Sequence, residues 1–409
     1  MPLRQRLPNT LPISAVAAGG VTTLVGVTSS AAIVFQAARA VGARPAEISS
    51  WILALGIGIG VTSIALSLRY RAPVVMAWST PGAALLATSA HGTPLPEAVG
   101  AFLITSALTV LVGVTGWFER AVNLIPPSIA SALLAGILLQ FGIDVFTAMR
   151  TQPWLVLAML VSYLLCKRLL PRYAVLIALA VGTLLTALRG SFHLDTVRLA
   201  VAAPVFTWPS WSLHTTISLA IPLFVITMTS QNLPGVVTLR AHGYRTPVSP
   251  ILSWSGLTNL VLAPLGCFGI NLAAITAALC MGPDAHEDPA QRYRAGIVSG
   301  VCYLVLGLFG ATLGSLIAAF PLALITAIAG IGLLDTIGGS LATATAEPAT
   351  RNAALIAFLV TASGVSVLGI ASVFWGLIAG IGAHLLLGRP TNPSDTPRKG
   401  EHQTTQYFR

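Results

Sequence analysis

Charge is scarce in this 409-residue chain, because only 8% of its residues are Asp, Glu, Lys or Arg. A soluble domain averages about 25% charged residues. The chain is also 55% hydrophobic and its mean hydropathy is +0.84. A soluble fold is excluded because too few polar groups are present to cover its surface. Intrinsic disorder is excluded because it requires low hydrophobicity. The composition therefore predicts a polytopic membrane protein.

Chemically reactive motifs are absent as well. The sequence has no Walker-type phosphate loop, no paired catalytic carboxylates and no His/Cys cluster with metal-ligand spacing. We therefore expect neither an enzyme nor a bound metal or cofactor. The net charge of +10 is scattered singly or in pairs, so we interpret it as topology-setting charge and expect no nucleic-acid partner. The four cysteines lie in apolar segments and are expected to be small membrane-facing or packing residues: Cys166, Cys267, Cys280 and Cys302.

Apolar runs between Gly, Pro and charged breaks predict an all-α protein with about 14 spans, since a span needs roughly 20 apolar residues. Spans 1–7 are placed at 13–38, 46–68, 73–90, 95–115, 126–148, 153–169 and 173–189. Spans 8–14 are placed at 213–232, 247–265, 267–281, 291–312, 319–337, 351–368 and 370–387. The segment between the two sets, with its Trp208-Pro209-Ser210-Trp211, is typical of the membrane interface. The polar tail 389–409 is predicted to be disordered and cytoplasmic.

The distribution of positive charge predicts that both termini are cytoplasmic. With 14 spans, 17 of the 22 Lys and Arg residues fall on the side of the termini. The opposite side holds the other five: Arg39, Arg44, Arg150, Arg189 and Arg198. An excess of positive charge marks the cytoplasmic side of a membrane protein.

The two halves of the chain, 10–200 and 201–388, resemble each other. Short motifs recur in the same order at offsets of 190 to 201 residues: Thr28-Ser29 and Thr229-Ser230, Ala83-Ala84 and Ala273-Ala274, and Ala135-Gly136-Ile137 and Ala329-Gly330-Ile331. Each half contains an odd number of spans, so the second half must enter the membrane upside down. This pattern predicts the inverted 7+7 repeat of secondary transporters.

Spans 3 and 10 are predicted to be broken mid-membrane into a short extended stretch and a half-helix. In span 3, β-prone residues end at Trp78, and Ser79-Thr80 precede Pro81, which suits the first turn of a helix. In span 10, an irregular stretch at 266–269 is followed by Asn271, and we expect Asn271 or its neighbours to start the second half-helix. The simpler alternative is a pair of kinked helices.

Two half-helix N-termini that converge would form an anion site from backbone N–H groups without any Arg or Lys. Polar amides before the breaker Pro234 in span 8 add a third element, unless they serve only to join helices. The predicted substrate-binding residues are Ser79, Thr80, Pro81, Gly82, Gln231, Asn232, Gly269, Ile270 and Asn271, with Ser30 in span 1 as a weaker candidate. Asp144 and Asp335 are candidates for proton coupling, because intramembrane carboxylates are often functional, although both lie near span ends.

At these motifs the sequence resembles the benzoate–proton symporter (BenE) family. The resemblance covers residues 10–388 and rests on four stretches: W-S-T-P-G-A-A-L (78–85), T-S-Q-N-L-P-G (229–235), G-Y-R-T-P (243–247) and F-G-I-N-L-A-A-I-T-A-A (268–278). It implies uptake of benzoate or a similar aromatic carboxylate with H+ across a bacterial inner membrane. It also implies a fold similar to the uracil and nucleobase transporters, with a core domain from spans 1–4 and 8–11 and a gate domain from spans 5–7 and 12–14. Related carriers suggest a homodimer.

One departure from the nucleobase carriers bears on the substrate. Those carriers have acidic residues on spans 8 and 10, where this chain has Gln231 and Asn271. Neutral amides favour an anionic substrate, which carboxylates would repel. A nucleobase or inorganic-anion carrier on the same scaffold, or an anion channel, are the alternatives. The proton is expected on the substrate carboxylate itself, on Asp144 or on Asp335.

Overall fold

Helices dominate the computed structural model, which describes residues 12–118, 126–190, 199–283, 285–365, 367 and 372–387. The tail predicted to be disordered, 389–409, lies outside the described residues, and so do both termini. The helices of the first half are α1 Ile13–Ala40, α2 Pro45–Tyr70, α3 Thr80–Ser89, α4 Leu95–Thr115, α5 Pro127–Ala148, α6 Pro153–Leu169 and α7 Ala174–Leu188. Those of the second half are α8 from Leu213 to Ala241, α9 Val248–Leu262, α10 Ile275–Met281, α11 Tyr293–Leu308, α12 Gly310–Ala319, α13 Leu322–Ala346, α14 Arg351–Ala362 and α15 Ser372–Leu387.

Seven helices in the described part of the chain are long and apolar enough to cross a membrane, and a bent pair, α11 with α12, makes up to eight. They carry large apolar side chains on their outer faces, such as the exposed Leu111 and Leu257. In water such surface would be costly, whereas lipid tails solvate it, and the helical backbone satisfies its own N–H and C=O groups there. The chain is therefore an all-helical polytopic membrane protein.

Helix starts follow local sequence. Pro45, Pro127 and Pro153 each occupy the first position of their helix, where the missing proline N–H costs nothing. The end of α4 is set by Gly116, whose φ of 69° places it in the left-handed region that glycine tolerates. These signals explain why the spans predicted at 95–115 and 153–169 match α4 and α6 residue for residue.

Span 11 differs from its prediction. One straight segment is predicted at 291–312. In the structure α11 ends at Leu308, and the axes of α11 and α12 form an angle of 70°. Both sides of the bend are helical and apolar, so composition and periodicity carry no signal for a change of direction. Span 12 is longer than predicted, since α13 continues to Ala346.

Helix α8 contains two π-helical turns, Thr216–Ala220 and Met228–Asn232. Each turn ends two residues before a proline, Pro222 or Pro234. A proline ring clashes with the carbonyl four residues earlier and donates no hydrogen bond, so a wider turn relieves the helix at that place. The second π-turn lies where α8 contacts β2 and α5.

Close helix packing holds the two halves of the chain together. Helix α2 packs against α11, α4 against α9, and α5 against α13. At the α2–α11 contact, a Cβ atom built on Gly56 would lie 2.5 Å from Cα of Gly307. Small residues at such contacts bring backbones together, which stabilises helix pairs in lipid.

Both broken spans contain a short strand followed by a short helix. Strand β1 (Met76–Trp78) precedes α3, which has 10 residues, and strand β2 (Ile270–Leu272) precedes α10, which has 7. At about 1.5 Å per residue neither helix spans the roughly 30 Å hydrocarbon layer. The two strands pair antiparallel with Ala77 opposite Asn271, which satisfies backbone groups that lipid would leave unpaired.

Candidate functional site

The paired strands β1 and β2 form the centre of the candidate site. The ladder continues for one residue pair beyond each end of the strands. The Ser79 N–H donates to the Gly269 carbonyl at 2.9 Å, and the Ala273 N–H donates to the Val75 carbonyl at 2.9 Å. This pairing brings the start of α3 next to Gly269, which precedes β2.

Helix α2 holds the free edge of β1. The Met76 N–H donates to Ser63 Oγ at 2.9 Å, and Ser67 Oγ donates to the Val74 carbonyl at 3.1 Å. Both serines are buried, with no measurable exposure. A buried hydroxyl is stable only when hydrogen-bonded, so each serine stabilises the strand and is stabilised by it.

Helix α9 holds the free edge of β2 with more bonds. Asn259 accepts from the Ile270 N–H at 2.7 Å and donates to the Ile270 carbonyl at 3.0 Å, while Ser255 Oγ donates to the same carbonyl at 2.6 Å. The Ile270 N–H, which we had expected to face an anion, is therefore engaged by protein.

Four residues clamp the free edges of the two strands by hydrogen bonds and were not predicted to do so: Ser63, Ser67, Ser255 and Asn259. Their signal was present, because Ser63 and Ser67 are four residues apart on one helix, and so are Ser255 and Asn259. The two pairs are separated by 192 residues, within the offset range of the other repeated motifs. Polar residues at i and i+4 share one helix face, so each pair reaches one strand.

The first turn of α3 is capped from within. Ser79 is fully buried, and its Oγ accepts a hydrogen bond from the Gly82 N–H at 3.0 Å. Pro81 has no N–H, so it contributes only the fixed backbone of the first turn. Thr80 is half-buried at the same turn, whose positive dipole end is directed into the protein. The Ser79 cap uses an oxygen lone pair and leaves the hydroxyl hydrogen free to donate.

Helix α8 contributes Asn232, which ends the second π-turn and is fully buried. Its Nδ2 donates to Asn271 Oδ1 at 2.7 Å, and its Oδ1 accepts from the Leu272 N–H at 3.1 Å. A Cβ on Gly235 would lie 2.5 Å from Cβ of Leu272, so only glycine allows α8 this close to β2. The motif at 229–235 is thus in contact with the paired strands.

Asn271 lies in β2 and does not start the second half-helix. That prediction was wrong, because the Asn271 backbone pairs with Ala77 and α10 begins only at Ile275. The Asn271 side chain is 2% exposed, and its Nδ2 has no hydrogen-bond partner among the described residues. A Cβ on the buried Gly269 would lie 3.4 Å from this nitrogen and 3.3 Å from Cβ of Ser79. Asn271, Gly269 and Ser79 therefore meet at one point.

Ser30 of α1 closes another side of β1. It accepts a hydrogen bond from Trp78 Nε1 at 2.8 Å and donates to the Gly26 carbonyl at 2.8 Å. The Trp78 ring also meets Tyr303 of α11 edge-on, at 5.7 Å between ring centroids. Ser30 is thus occupied by Trp78 and orients that ring.

The remaining predicted residues lie apart from this network. Gln231 is half-buried in the same π-turn as Asn232. Asp144 of α5 accepts a hydrogen bond from Gln140 at 2.8 Å. Asp335 of α13 forms an ion pair with Lys167 of α6 and accepts from Tyr163. Neither carboxylate bonds to the strands, to Asn232 or to the first turn of α3 in the described structure.

The site is closed to solvent. Ser79, Asn232 and Asn271 are at most 2% exposed. An open cleft of about 540 Å³ lies instead at the far ends of α1 and α3, where Arg39 and Arg44 line it. None of the predicted binding residues lines that cleft.

The chemistry of the site is that of neutral hydrogen-bond donors. None of the residues that build it is charged, and within the described ranges no three His, Cys, Asp or Glu side chains are grouped to hold a metal ion. A free amide N–H, a serine hydroxyl and a helix N-terminus together suit an acceptor-rich anionic group.

Solved membrane transporters share this fold. The chain matches the overall structure of SLC26A9 with a TM-score of 0.62 and 13% identity, covering 92% of this chain and 65% of that one. It matches the transmembrane domain of a cyanobacterium bicarbonate transporter, BicA, with a TM-score of 0.55 and 14% identity, covering 90% and 97% of the two chains. The chain therefore has the fold of these polytopic membrane proteins.

Sequence relatives give the family. Residues 9–386 match the family described as "Benzoate membrane transport protein", and the chain belongs to that family. It is 46% identical over 370 residues to the "Inner membrane protein YdcO" of Escherichia coli K12, covering 90% of this chain and 95% of the relative. It is 41% identical over 378 residues to the "Benzoate membrane transport protein" of Acinetobacter baylyi, covering 92% and 96%. The family is therefore one of membrane transporters and not a class of enzymes. Both relatives are bacterial proteins.

Proposed function

We propose that this protein imports benzoate or a similar aromatic carboxylate together with H+ by alternating access. The observation that carries the proposal is the buried Asn271 Nδ2 beside Ser79 and the first turn of α3, a donor that has no partner among the described residues. A buried unpaired donor costs about 1–3 kcal/mol, and an acceptor on a ligand removes that cost. The similarity to the benzoate membrane transport protein of Acinetobacter baylyi supports benzoate as the substrate.

Neutral donors favour a carboxylate over a nucleobase. An acidic side chain beside Asn271 would repel an anion in this low-dielectric setting, and the site contains none. The substrate carboxylate would accept from Asn271 Nδ2 and from the Ser79 hydroxyl, close to the positive end of α3. The aromatic ring would then pack on apolar side chains of the proposed gate domain. Because the donors are neutral, release does not require a buried ion pair to be broken.

The burial of Ser79, Asn232 and Asn271 supports alternating access. We propose that spans 1–4 and 8–11 form a core domain that carries the substrate and moves against a gate domain formed by spans 5–7 and 12–14. In support, α3 and the second π-turn of α8 contact α5, and α1 contacts α13. The elements that build the site thus border the proposed gate, where a small displacement would open a path.

The inverted 7+7 repeat is part of the proposal. Met76 and Ile270 are 194 residues apart, and so are Pro127 and Pro321, which lie at the starts of α5 and α13. The antiparallel pairing of β1 with β2 is what two strands related by a two-fold axis in the membrane plane require. Fourteen crossings can be assembled from the seven long helices, the bent pair α11–α12, α6, the two broken spans and the shorter apolar helices α7, α14 and α15.

The proposal also covers the cellular location, the oligomeric state and the proton-carrying group. We propose an inner-membrane protein with both termini cytoplasmic, as the positive-charge distribution predicts. A relationship of this fold to the uracil carriers, and a homodimer as in related carriers, also remain proposals. For the proton, Asp144, Asp335 and the substrate carboxylate are retained as candidates, although Asp335 already has Lys167 as its counter-ion.

Uptake into proteoliposomes tests the function. Labelled benzoate, uracil, sulfate and bicarbonate are offered to the purified protein with and without an inward proton gradient. We expect benzoate uptake that rises with the gradient and no uptake of uracil. Benzoate uptake that ignores the gradient would remove the symport claim. Sulfate or bicarbonate uptake without benzoate uptake would instead favour the inorganic-anion alternative, and ionic currents far above carrier turnover would favour a channel.

A further inference from the structure

The orientation of the Asn232 amide is set by the backbone. One end of this amide meets the Leu272 N–H at 3.1 Å, and the other end meets the Thr227 carbonyl at 3.3 Å. A backbone N–H can only donate and a carbonyl can only accept. The oxygen of Asn232 must therefore point to Leu272 and its nitrogen to Thr227, and a flipped amide would lose both bonds.

This orientation decides the orientation of Asn271. The same Asn232 nitrogen lies 2.7 Å from the Asn271 side chain, so the atom it faces there must be an acceptor, Oδ1. The NH2 group of Asn271 then points away from Asn232, toward Gly269 and Ser79, where it has no partner among the described residues. A chain of hydrogen bonds from the Leu272 N–H through Asn232 thus turns Asn271 into a donor.

Asn232 has no donor left for a ligand. Its nitrogen carries two hydrogens, one directed to the Thr227 carbonyl and one to Asn271 Oδ1. The residue is also fully buried behind β2. The sequence-based expectation that Asn232 binds the substrate directly is therefore replaced by an indirect role.

We propose that Asn232 is a positioning residue that sets the polarity of the binding site. By holding Asn271 with its NH2 group toward the substrate, it makes the transporter select a carboxylate and discriminate against the corresponding amide, whose own NH2 group would face a donor. The inference rests on the proposed function and adds to it the reason why one uncharged side chain can prefer an anion. Without Asn232, the Asn271 side chain can turn and present its oxygen.

The test compares the affinities of detergent-purified protein for benzoate and for benzamide at pH 7, by calorimetry. Wild-type protein is expected to prefer benzoate. In Asn232→Ala we expect this preference, the ratio of the two Kd values, to fall by about tenfold, equivalent to about 1.4 kcal/mol. The matched control is Asn259→Ala, which removes a second buried asparagine from the same free edge of β2 without touching the Asn271 side chain. It should weaken both ligands alike and leave the ratio unchanged.

A purely structural role for Asn232 would lower both affinities and keep the ratio, which would overturn the proposal. If Asn232→Ala does not fold, Asn271→Ala serves in its place, because Asn232 keeps its two backbone partners in that variant. Retention of the full benzoate preference by Asn271→Ala would also overturn the proposal. Wild-type protein that binds neither compound would overturn the proposed substrate, and the polarity proposal with it, an outcome distinct from an unchanged ratio.

Discussion

The two broken spans share one plan but contribute different chemistry. In the first, β1 leads into a helix of 10 residues whose N-terminus is capped by Ser79. In the second, β2 leads into a helix of only 7 residues, and the residue before it, Ala274, offers no side-chain cap. The first half thus supplies a helix end, and the second half supplies the amide of Asn271. Two spans of the same plan therefore carry two different kinds of hydrogen-bond donor.

The entries to the two strands differ as well. Arg71, before β1, has a φ of 50°, and Gly266, before β2, has a φ of 97°. Both segments therefore turn through the left-handed region of backbone conformation. Arg71 has room there, and its guanidinium donates to the Tyr293 hydroxyl at 2.5 Å. Gly266 has no room for a side chain, because the Trp51 ring occupies the place of a Cβ atom. The second turn is therefore the more constrained of the two.

The largest effect is expected from Gly266→Ala. Its Cβ would lie 1.7 Å from Trp51 Cδ1 in a backbone conformation that already disfavours side chains. We expect a loss of at least about 4 kcal/mol of stability, seen as loss of monodisperse protein in size-exclusion chromatography after mild heating. Arg71→Gly is the matched control and should change stability by no more than about 1 kcal/mol. Equal melting of Gly266→Ala and wild type would contradict the constraint at Trp51.

An intermediate effect is expected from Asn259→Leu. This change leaves the Ile270 N–H buried without an acceptor, which costs about 1–3 kcal/mol. Ser67→Ala, on the side of β1, removes a single bond to the Val74 carbonyl and should cost about 1 kcal/mol. Thermal unfolding in detergent measures both. If the two variants lost the same stability, the clamp from α9 would be no stronger than the clamp from α2.

The smallest effect is expected at the helix caps. Ser79→Ala removes the bond to the Gly82 N–H and should cost about 1 kcal/mol. The reverse change, Ala274→Ser, should gain less than about 0.5 kcal/mol, because the ψ of −74° at Ala274 is not the extended geometry of a capping residue. Unfolding temperatures of the two variants check this pair. A clear gain from Ala274→Ser would mean that α10 accepts a cap as readily as α3.

Most of the helices could be predicted from the sequence, but only part of the candidate binding site. Sequence reasoning located Ser79, Pro81 and Gly82 correctly at the start of a half-helix, because the proline and capping signals are local. It placed the second half-helix too early, at Asn271, since strand pairing with Ala77 outweighs the weak helical tendency of that stretch. It did not find Asn259, whose role depends on a strand 11 residues further along the chain.

The sequence alone determined the long apolar helices but not the bend between α11 and α12. Long apolar runs and their Pro and Gly limits are properties of single segments, and a bilayer selects them one by one. What only the tertiary structure decided is which segments meet. The register of Ala77 with Asn271, the pair Asn232–Asn271 and the ion pair Lys167–Asp335 join distant parts of the chain. Such contacts depend on packing geometry between helices, which no local pattern encodes, and in this protein they determine which way the buried amide faces.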